Sequence, residues 1–484
     1  MKYFLLLLPL LSLFAQDEEA EFDPKISITN HQIKTHNGVL NYTAMTGVCP
    51  ILYNNTIEAE LFFISYTKDS EEDRPITFVF PGGPGGAGTL ESIITFGPRR
   101  ILTAGEGRTI HPPYKLIDNP ETILEYTDLV FVDPAECGYS KITENGNPDF
   151  FFSVEGDIQS LGEFIHNFID STCRWNSPIY LSGGSYGTMR CAGLAANLFQ
   201  YGIAVRGIIL EGCAFAFDTI VSARDQILPN CLMIPTFAAT AWHHGRLWPE
   251  KSLEEVVDYA RRFAFDEYAP HMLQPTRLSY VEKTVFEEKM ADLIGLSTDT
   301  IKRFNGKIDE TIYTSHFFGS ERKVLGGLDT RYSSDIATID PQHAGDPSYL
   351  DSIGIRPAFI HYLQNELDTF FDYQKYVGFS MQAITSWNFS SYDTWGKPNL
   401  LQRLRHTLIA NPQMKVFIGS GYYDCRTPFA ATEYCFDHLD LPASYQSNLQ
   451  FEYYKAGHGF IFDYPSLKKL KRDLTKFYGI KTTN

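Results

Sequence analysis

Three residues in this chain have the types and surroundings needed to share one reaction. Ser185 stands in Gly183-Gly184-Ser185-Tyr186-Gly187, after the apolar run 179–182 and before a segment with a small face, Ala192, Gly193, Ala195 and Ala196. A serine on a strained strand-to-helix turn needs neighbours without a Cβ, because strand and helix almost touch there. Asp424 follows the run 415–418 in Gly-Ser-Gly-Tyr-Tyr-Asp, and His458 follows the run 449–454 in Lys-Ala-Gly-His-Gly. Attack by a serine hydroxyl on a carbonyl needs a base for its proton, an acid to orient that base, and N–H donors for the oxyanion. The chain order serine, acid, histidine, each at a strand end, fits that division of labour on an α/β sheet. Of the thirteen histidines, only His458 stands at such a strand end between two glycines after the candidate acid.

One oxyanion donor is expected from the backbone N–H of the residue after the nucleophile, Tyr186, with the start of a helix behind it favouring negative charge. The second is expected from the glycine-rich stretch Pro81-Gly82-Gly83-Pro84-Gly85-Gly86-Ala87-Gly88, where missing side chains let backbone approach substrate. The same stretch formally contains G-x-G-x-x-G, a dinucleotide fingerprint. No second strand ending in an acid follows about 20 residues on, and residues 99–114 are polar and turn-rich, so that reading has no support.

These residues need a scaffold of buried strands alternating with helices. Short alternating strands are expected at 26–28, 33–35 and 58–63, as an antiparallel edge. Core strands follow at 76–80, 129–132, 179–182, 205–210, 415–418 and 449–454, with helices at 155–170, 400–409 and 466–477. This pattern predicts an α/β fold with a mixed, mostly parallel sheet. From Ala214 to Lys397 the sequence turns helical and aromatic, as in Leu253–Phe263, with loops such as 338–348. The predicted organisation is a signal peptide at 1–15, core at 16–213, a mainly helical cap insertion at 214–397, and core again at 398–484. The last helix is expected to present Lys468, Lys469, Lys471 and Arg472 to solvent.

Composition narrows the partners. The formal charge of −17 and the lack of a long basic run argue against nucleic acid, whose phosphates need Lys and Arg. Lys2, the mostly apolar run 4–14, Ala15 and the acidic start at 17–19 read as an export signal, too short for the roughly 20 residues that span a bilayer. No other apolar stretch is long enough for a membrane helix, so a mature, exported protein without an integral membrane segment is expected. Eight cysteines suit an oxidising compartment, but disulfide pairing and buried free thiols are both open. Serine chemistry requires no cofactor and no metal, so chelators should leave the rate unchanged.

Gly82-Gly83-Pro84-Gly85, Phe96-Gly97-Pro98, the run 127–133, the Ser-Tyr-Gly turn, Ser420-Gly421-Tyr422-Tyr423-Asp424 and Ala456-Gly457-His458 together resemble the serine carboxypeptidase-like peptidases. The resemblance runs from about residue 75 to 465 and is weak through the insertion. It implies an α/β-hydrolase fold, Ser185 as nucleophile, His458 as base, Asp424 as orienting acid, and the N–H groups of Gly83 and Tyr186 as oxyanion donors. Three positions depart from the family pattern. Pro81 stands for an Asn that helps hold the substrate's C-terminal carboxylate, and Gly184 and Thr95 stand for two Glu residues of the same network. The Gly-Gly-Ser-Tyr-Gly-Thr turn is equally similar to that of prolyl- and tripeptidyl-aminopeptidases of the same fold. Glu136, where these relatives usually carry glycine, is a candidate for a substrate ammonium group or a solvated loop residue.

The expected function is therefore a secreted serine exopeptidase acting on peptides through an acyl-serine, with carboxypeptidase action first. An aminopeptidase, and an esterase or acyltransferase on the same scaffold, are the alternatives; a non-catalytic binding protein is a further class. With the paired family carboxyls missing, activity is expected to persist at neutral pH.

Overall fold

The computed structural model describes residues 23–70, 73–103, 112–223, 226–336, 346–348, 354–369, 371–390 and 399–480. The expected signal segment 1–15 and most of the loop 338–348 lie outside these residues. Ten strands build the main sheet: β1 (Ser27–Thr35), β2 (Gly38–Tyr53), β3 (Thr56–Lys68), β4 (Ile76–Phe80), β5 (Asp128–Val132), β6 (Lys141–Ile142), β7 (Ile179–Gly184), β8 (Val205–Glu211), β9 (Lys415–Gly421) and β10 (Leu449–Tyr454). Their order is β1-β2-β3-β5-β4-β7-β8-β9-β10, with β6 paired to β3. Pairs from β1 to β5 along this order are antiparallel, and every pair from β5 to β10 is parallel. The parallel strands all point their carboxyl ends at one rim.

Why these segments become central strands follows from their side chains. All five residues of β4 and all five of β5 are buried, and successive residues face opposite layers. Phe78, Phe80, Val130, Val132, Ile179 and Leu181 join one apolar layer with α1 (Val154–Ser171), α2 (Tyr186–Gln200) and, farther along, α7 (Leu401–Ala410). Val79, Leu129, Phe131 and Tyr180 join the other, with the C-terminal helix α9 (Tyr464–Phe477).

Among the described residues, the chain between Glu211 and Lys415 adds no strand to the main sheet. Its helices α3 (Leu228–His243), α4 (Leu253–Arg262) and α5 (Tyr280–Ile294) pack around a separate apolar cluster that includes Ile234, Phe237, Val256, Phe263 and Met290. Cys425 belongs to this cluster. Leu232 and Ala239 of α3 also pack with Tyr422, Tyr423 and Phe429, the last on α8 (Phe429–Asp437). Other parts of this stretch pack on the sheet instead. In α6 (Ile355–Asn365) the stripe Ile355, Ala358, Phe359, Tyr362 and Leu363 turns to the second sheet layer, where the Tyr362 hydroxyl meets that of Tyr66 at 3.2 Å.

Two other expectations change. The edge contains a 16-residue strand, β2, that is not among the expected strands, because Gly47, Cys49 and Pro50 interrupt its alternation. Lys471 is not on a solvated face of α9: it is 7% exposed, and its ammonium meets Glu125. All eight cysteines are free thiols, and only Cys173 is exposed. No helix among the described residues is long and apolar enough to cross a membrane.

Candidate active site

Ser185 occupies the turn between β7 and α2 with φ 53° and ψ −124°, a conformation that costs a non-glycine residue energy. The surrounding glycines make the turn possible. A Cβ on Gly183 would lie 2.3 Å from the Gly187 carbonyl oxygen, and one on Gly187 2.8 Å from that of Phe80. Strand, turn and helix are thus in backbone contact, as the glycine spacing requires. The Ser185 N–H donates to the Glu211 carbonyl at 2.8 Å, fastening the turn to the end of β8.

The glycine-rich loop after β4 lies against this turn. A Cβ on Gly82 would stand 3.0 Å from Ser185 Cβ and 3.7 Å from its Oγ. Gly83 has φ 115°, a backbone conformation that side chains disfavour. Arg190 of α2, fully buried, donates to the Pro81 carbonyl and pairs with Asp157 of α1 through Nε and Oδ2 at 2.7 Å. Its guanidinium also lies over the Tyr186 ring, 4.8 Å from the centroid. Tyr186 opens α2, so its backbone N–H is at the helix start, where no helical partner exists for it.

Asp424 follows β9 and His458 follows β10. Asp424 is wholly buried and saturated as an acceptor. Oδ1 takes the N–H groups of Arg426 at 2.7 Å and Thr427 at 2.9 Å, and Oδ2 takes the Thr427 hydroxyl at 2.6 Å and His458 Nδ1 at 2.8 Å. Burial alone would raise this carboxyl, but the His458 ring and the Thr427 donors outweigh it and hold Asp424 below its ordinary range. Burial likewise works to lower His458; the charge and hydrogen bond of Asp424 prevail and raise it. Arg426 pulls the other way, and Glu310 adds to the rise. With Nδ1–H committed to Asp424, Nε2 is left to act as base. The side chain of His458 is 19% exposed.

These groups share the carboxyl rim of neighbouring strands, β7, β8, β9 and β10. Gly212, just beyond the Glu211 carbonyl that holds Ser185, is the residue against which His458 packs: a Cβ there would lie 3.3 Å from Nδ1. Glu136 is elsewhere engaged, its Oε1 accepting the Ile142 N–H at 2.7 Å.

Glu211 belongs to no motif that marks it in the sequence. It is 6% exposed, and its Oε2 lies 3.8 Å from where a Cβ on Gly184 would be. Oε1 has no hydrogen-bond partner among the described residues, and burial pushes the carboxyl up to about 8. Glu91 nearby is raised well above its ordinary value, first by burial and then by Glu211. The positions Pro81, Gly184 and Thr95 do lack the family groups, yet a carboxyl from β8 stands beside Gly184. An acid closing the apolar run 208–210 was the signal available. Among the described residues no group of three or more His, Cys, Asp and Glu is arranged to hold a metal ion.

A family model for serine carboxypeptidases matches residues 40–247, a span that contains Ser185 and ends before Asp424 and His458. No curated protein matches the sequence. Among solved structures, the prohormone-processing carboxypeptidase Kex1 of Saccharomyces cerevisiae aligns with 91% of this chain and 92% of its own, at TM-score 0.57 and 14% identity. An epoxide hydrolase from Aspergillus niger aligns with 90% of this chain and 78% of its own, at TM-score 0.36 and 13% identity. A monoglyceride lipase from Saccharomyces cerevisiae aligns with 90% and 97%, at TM-score 0.36 and 12% identity. The likeness to Kex1 is one of fold.

Proposed function

We propose that this chain, which has the α/β-hydrolase fold and matches a serine carboxypeptidase family model over residues 40–247, removes residues from the carboxyl ends of peptides through an acyl-serine intermediate. The observation that carries this reading is the 2.8 Å bond between Asp424 and His458 on the same sheet rim as a serine held at φ 53°. Nε2 of His458 takes the proton from Ser185 Oγ as Oγ bonds to the scissile carbonyl carbon. The N–H groups of Gly83 and Tyr186 receive the oxyanion. His458 then protonates the leaving amine as the C–N bond breaks. Water, deprotonated by the same ring, cleaves the acyl-serine and restores the hydroxyl.

For the carboxyl end of the substrate the candidate is Glu211, whose carboxyl lies beside Gly184, the residue before the nucleophile. Its carboxyl, pushed up to about 8, keeps its proton at neutral pH and has an O–H to donate to a substrate carboxylate. We read the insertion 214–397 as a cap that limits access to chain ends, with the α6 stretch returned to the sheet. Residues 1–15 we read as an export signal; recovery of mature protein beginning near Gln16 from outside the producing cytoplasm tests that.

Attack at the amino end instead would need a carboxylate for the substrate ammonium. Glu310, which acts on His458 and lies 3.3 Å from Arg426, is the observation on that side. Peptides blocked at one end decide. N-acetylated peptides should be cleaved and C-amidated ones spared; the reverse pattern makes the protein an aminopeptidase. Cleavage of simple esters with both peptides spared supports an esterase or acyltransferase, and failure of Ser185 to react with an organophosphonate leaves only a binding role.

A further inference from the structure

The turn that carries His458 is held from outside the sheet. Between α5 and α6 the chain passes through Gly327-Leu328-Asp329-Thr330-Arg331, which lies between the turns of the acid and the base and bonds to both. On the His458 side, the Leu328 carbonyl accepts the His458 N–H at 2.6 Å, and Asp329 Oδ2 accepts the Gly457 N–H at 2.9 Å. On the Asp424 side, Cys425 donates its N–H to the Gly327 carbonyl at 3.1 Å, and Thr330 donates its N–H to the Tyr423 carbonyl at 3.0 Å. The approach is close: a Cβ on Gly457 would stand 2.3 Å from the Leu328 oxygen and 2.4 Å from Asp329 Cβ.

Asp329 is itself anchored. It is 7% exposed, and Arg331 donates to its carboxylate, Nη2 to Oδ2 at 2.7 Å. Arg331 also donates to the Lys455 carbonyl at 2.9 Å and lies 3.4 Å from Asp463, whose side chain caps α9. The Thr330 hydroxyl meets that of Thr240 on α3 at 2.5 Å. A carboxylate buried this far persists only when paired and hydrogen-bonded, and here the pairing leaves Oδ2 aimed at the backbone next to the base.

We propose that Asp329 is a positioning residue for the reaction: through the Gly457 N–H it keeps the His458 ring seated on Asp424, and the segment 327–331 holds the acid and base turns in register. The inference rests on the roles given above to His458 and Asp424. Asp329 acts through geometry, because Arg331 neutralises it. The charges that act most on the ring are Asp424, Arg426 and Glu310, with Asp346 bearing on Arg426. A hydrogen bond weakens steeply as distance and angle degrade, and an ångström of misplacement costs about a hundredfold in rate.

The test uses the full chain carrying Asp329→Ala or Asp329→Asn. Titration of the His458 imidazole is followed by NMR, with the signal assigned from His458→Gln; kcat and KM are measured on an N-acetylated peptide. In Asp329→Ala, His458 should titrate nearer its ordinary 6.5, and kcat should fall about tenfold to a hundredfold with KM little changed. Asp329→Asn still offers an oxygen to Gly457 but loses the ion pair, and should fall between the two. It also decides the matter should the alanine variant not fold. Wild-type titration in both folded variants, or a kcat loss that tracks only the unfolded fraction, overturns the proposal. A wild-type protein without peptidase activity refutes the functional reading, while the titrations still decide the role of Asp329.

Discussion

Asp424 and His458 meet through Oδ2 and Nδ1 at 2.8 Å, and the Thr427 hydroxyl shares the same carboxylate oxygen at 2.6 Å. The pair thereby fixes both the tautomer and the direction of the ring. In Asp424→Asn an amide N–H can face Nδ1 and favour the wrong tautomer. The expected loss is about 10³–10⁴ in kcat, with KM little changed and the acidic limb of the rate profile moved to lower pH. Steady-state kinetics on an N-acetylated peptide checks this; a loss below tenfold would remove Asp424 from the mechanism.

Gly187 separates α2 from the end of β4. Its substitution by alanine sets a Cβ 2.8 Å and 2.9 Å from the Phe80 and Pro81 carbonyl oxygens, so the serine turn and the glycine-rich loop must part. Organophosphonate labelling of Ser185 should slow by tenfold or more while the far-ultraviolet spectrum stays that of wild type.

The Arg190–Asp157 pair is buried on both sides, at 0% and 3% exposure. Asp157→Ala leaves a guanidinium without its counter-charge beneath the loop that supplies Gly83. A destabilisation of about 3–5 kcal/mol is expected in denaturant unfolding. A change within experimental error would mean that solvent reaches the site.

Glu211 makes pH a variable for folding. Its carboxyl is raised from 4.5 to about 8, so between those values the folded chain keeps a proton that the unfolded chain has lost. Stability therefore falls as pH rises through that window, and Glu211→Gln should flatten the slope. If the group receives a substrate carboxylate, KM should also climb as pH passes about 8 in the wild type and stay level in the variant. Parallel pH profiles for the two proteins count against both statements.

What could be read beforehand was local. Strands such as 76–80 and 449–454 declare themselves by composition, and Ser185 by the glycines its turn needs. Asp424 and His458 emerge from chain order at strand ends. Glu211 and Asp329 could not be found that way, since their meaning depends on spatial neighbours. Only the β7–β8 pairing puts Glu211 beside Gly184, and only the folded insertion lays Asp329 against Gly457. The long strand β2 was hidden by residues that break its alternation, and α6 by a stripe whose destination the sequence does not specify.

With seven of the eight thiols shielded to some degree and Cys173 in the open, alkylation counts conformations. A brief maleimide pulse should add one label to the native protein and eight to the denatured one. Intact mass then reports opening events molecule by molecule, without a substrate or an engineered probe.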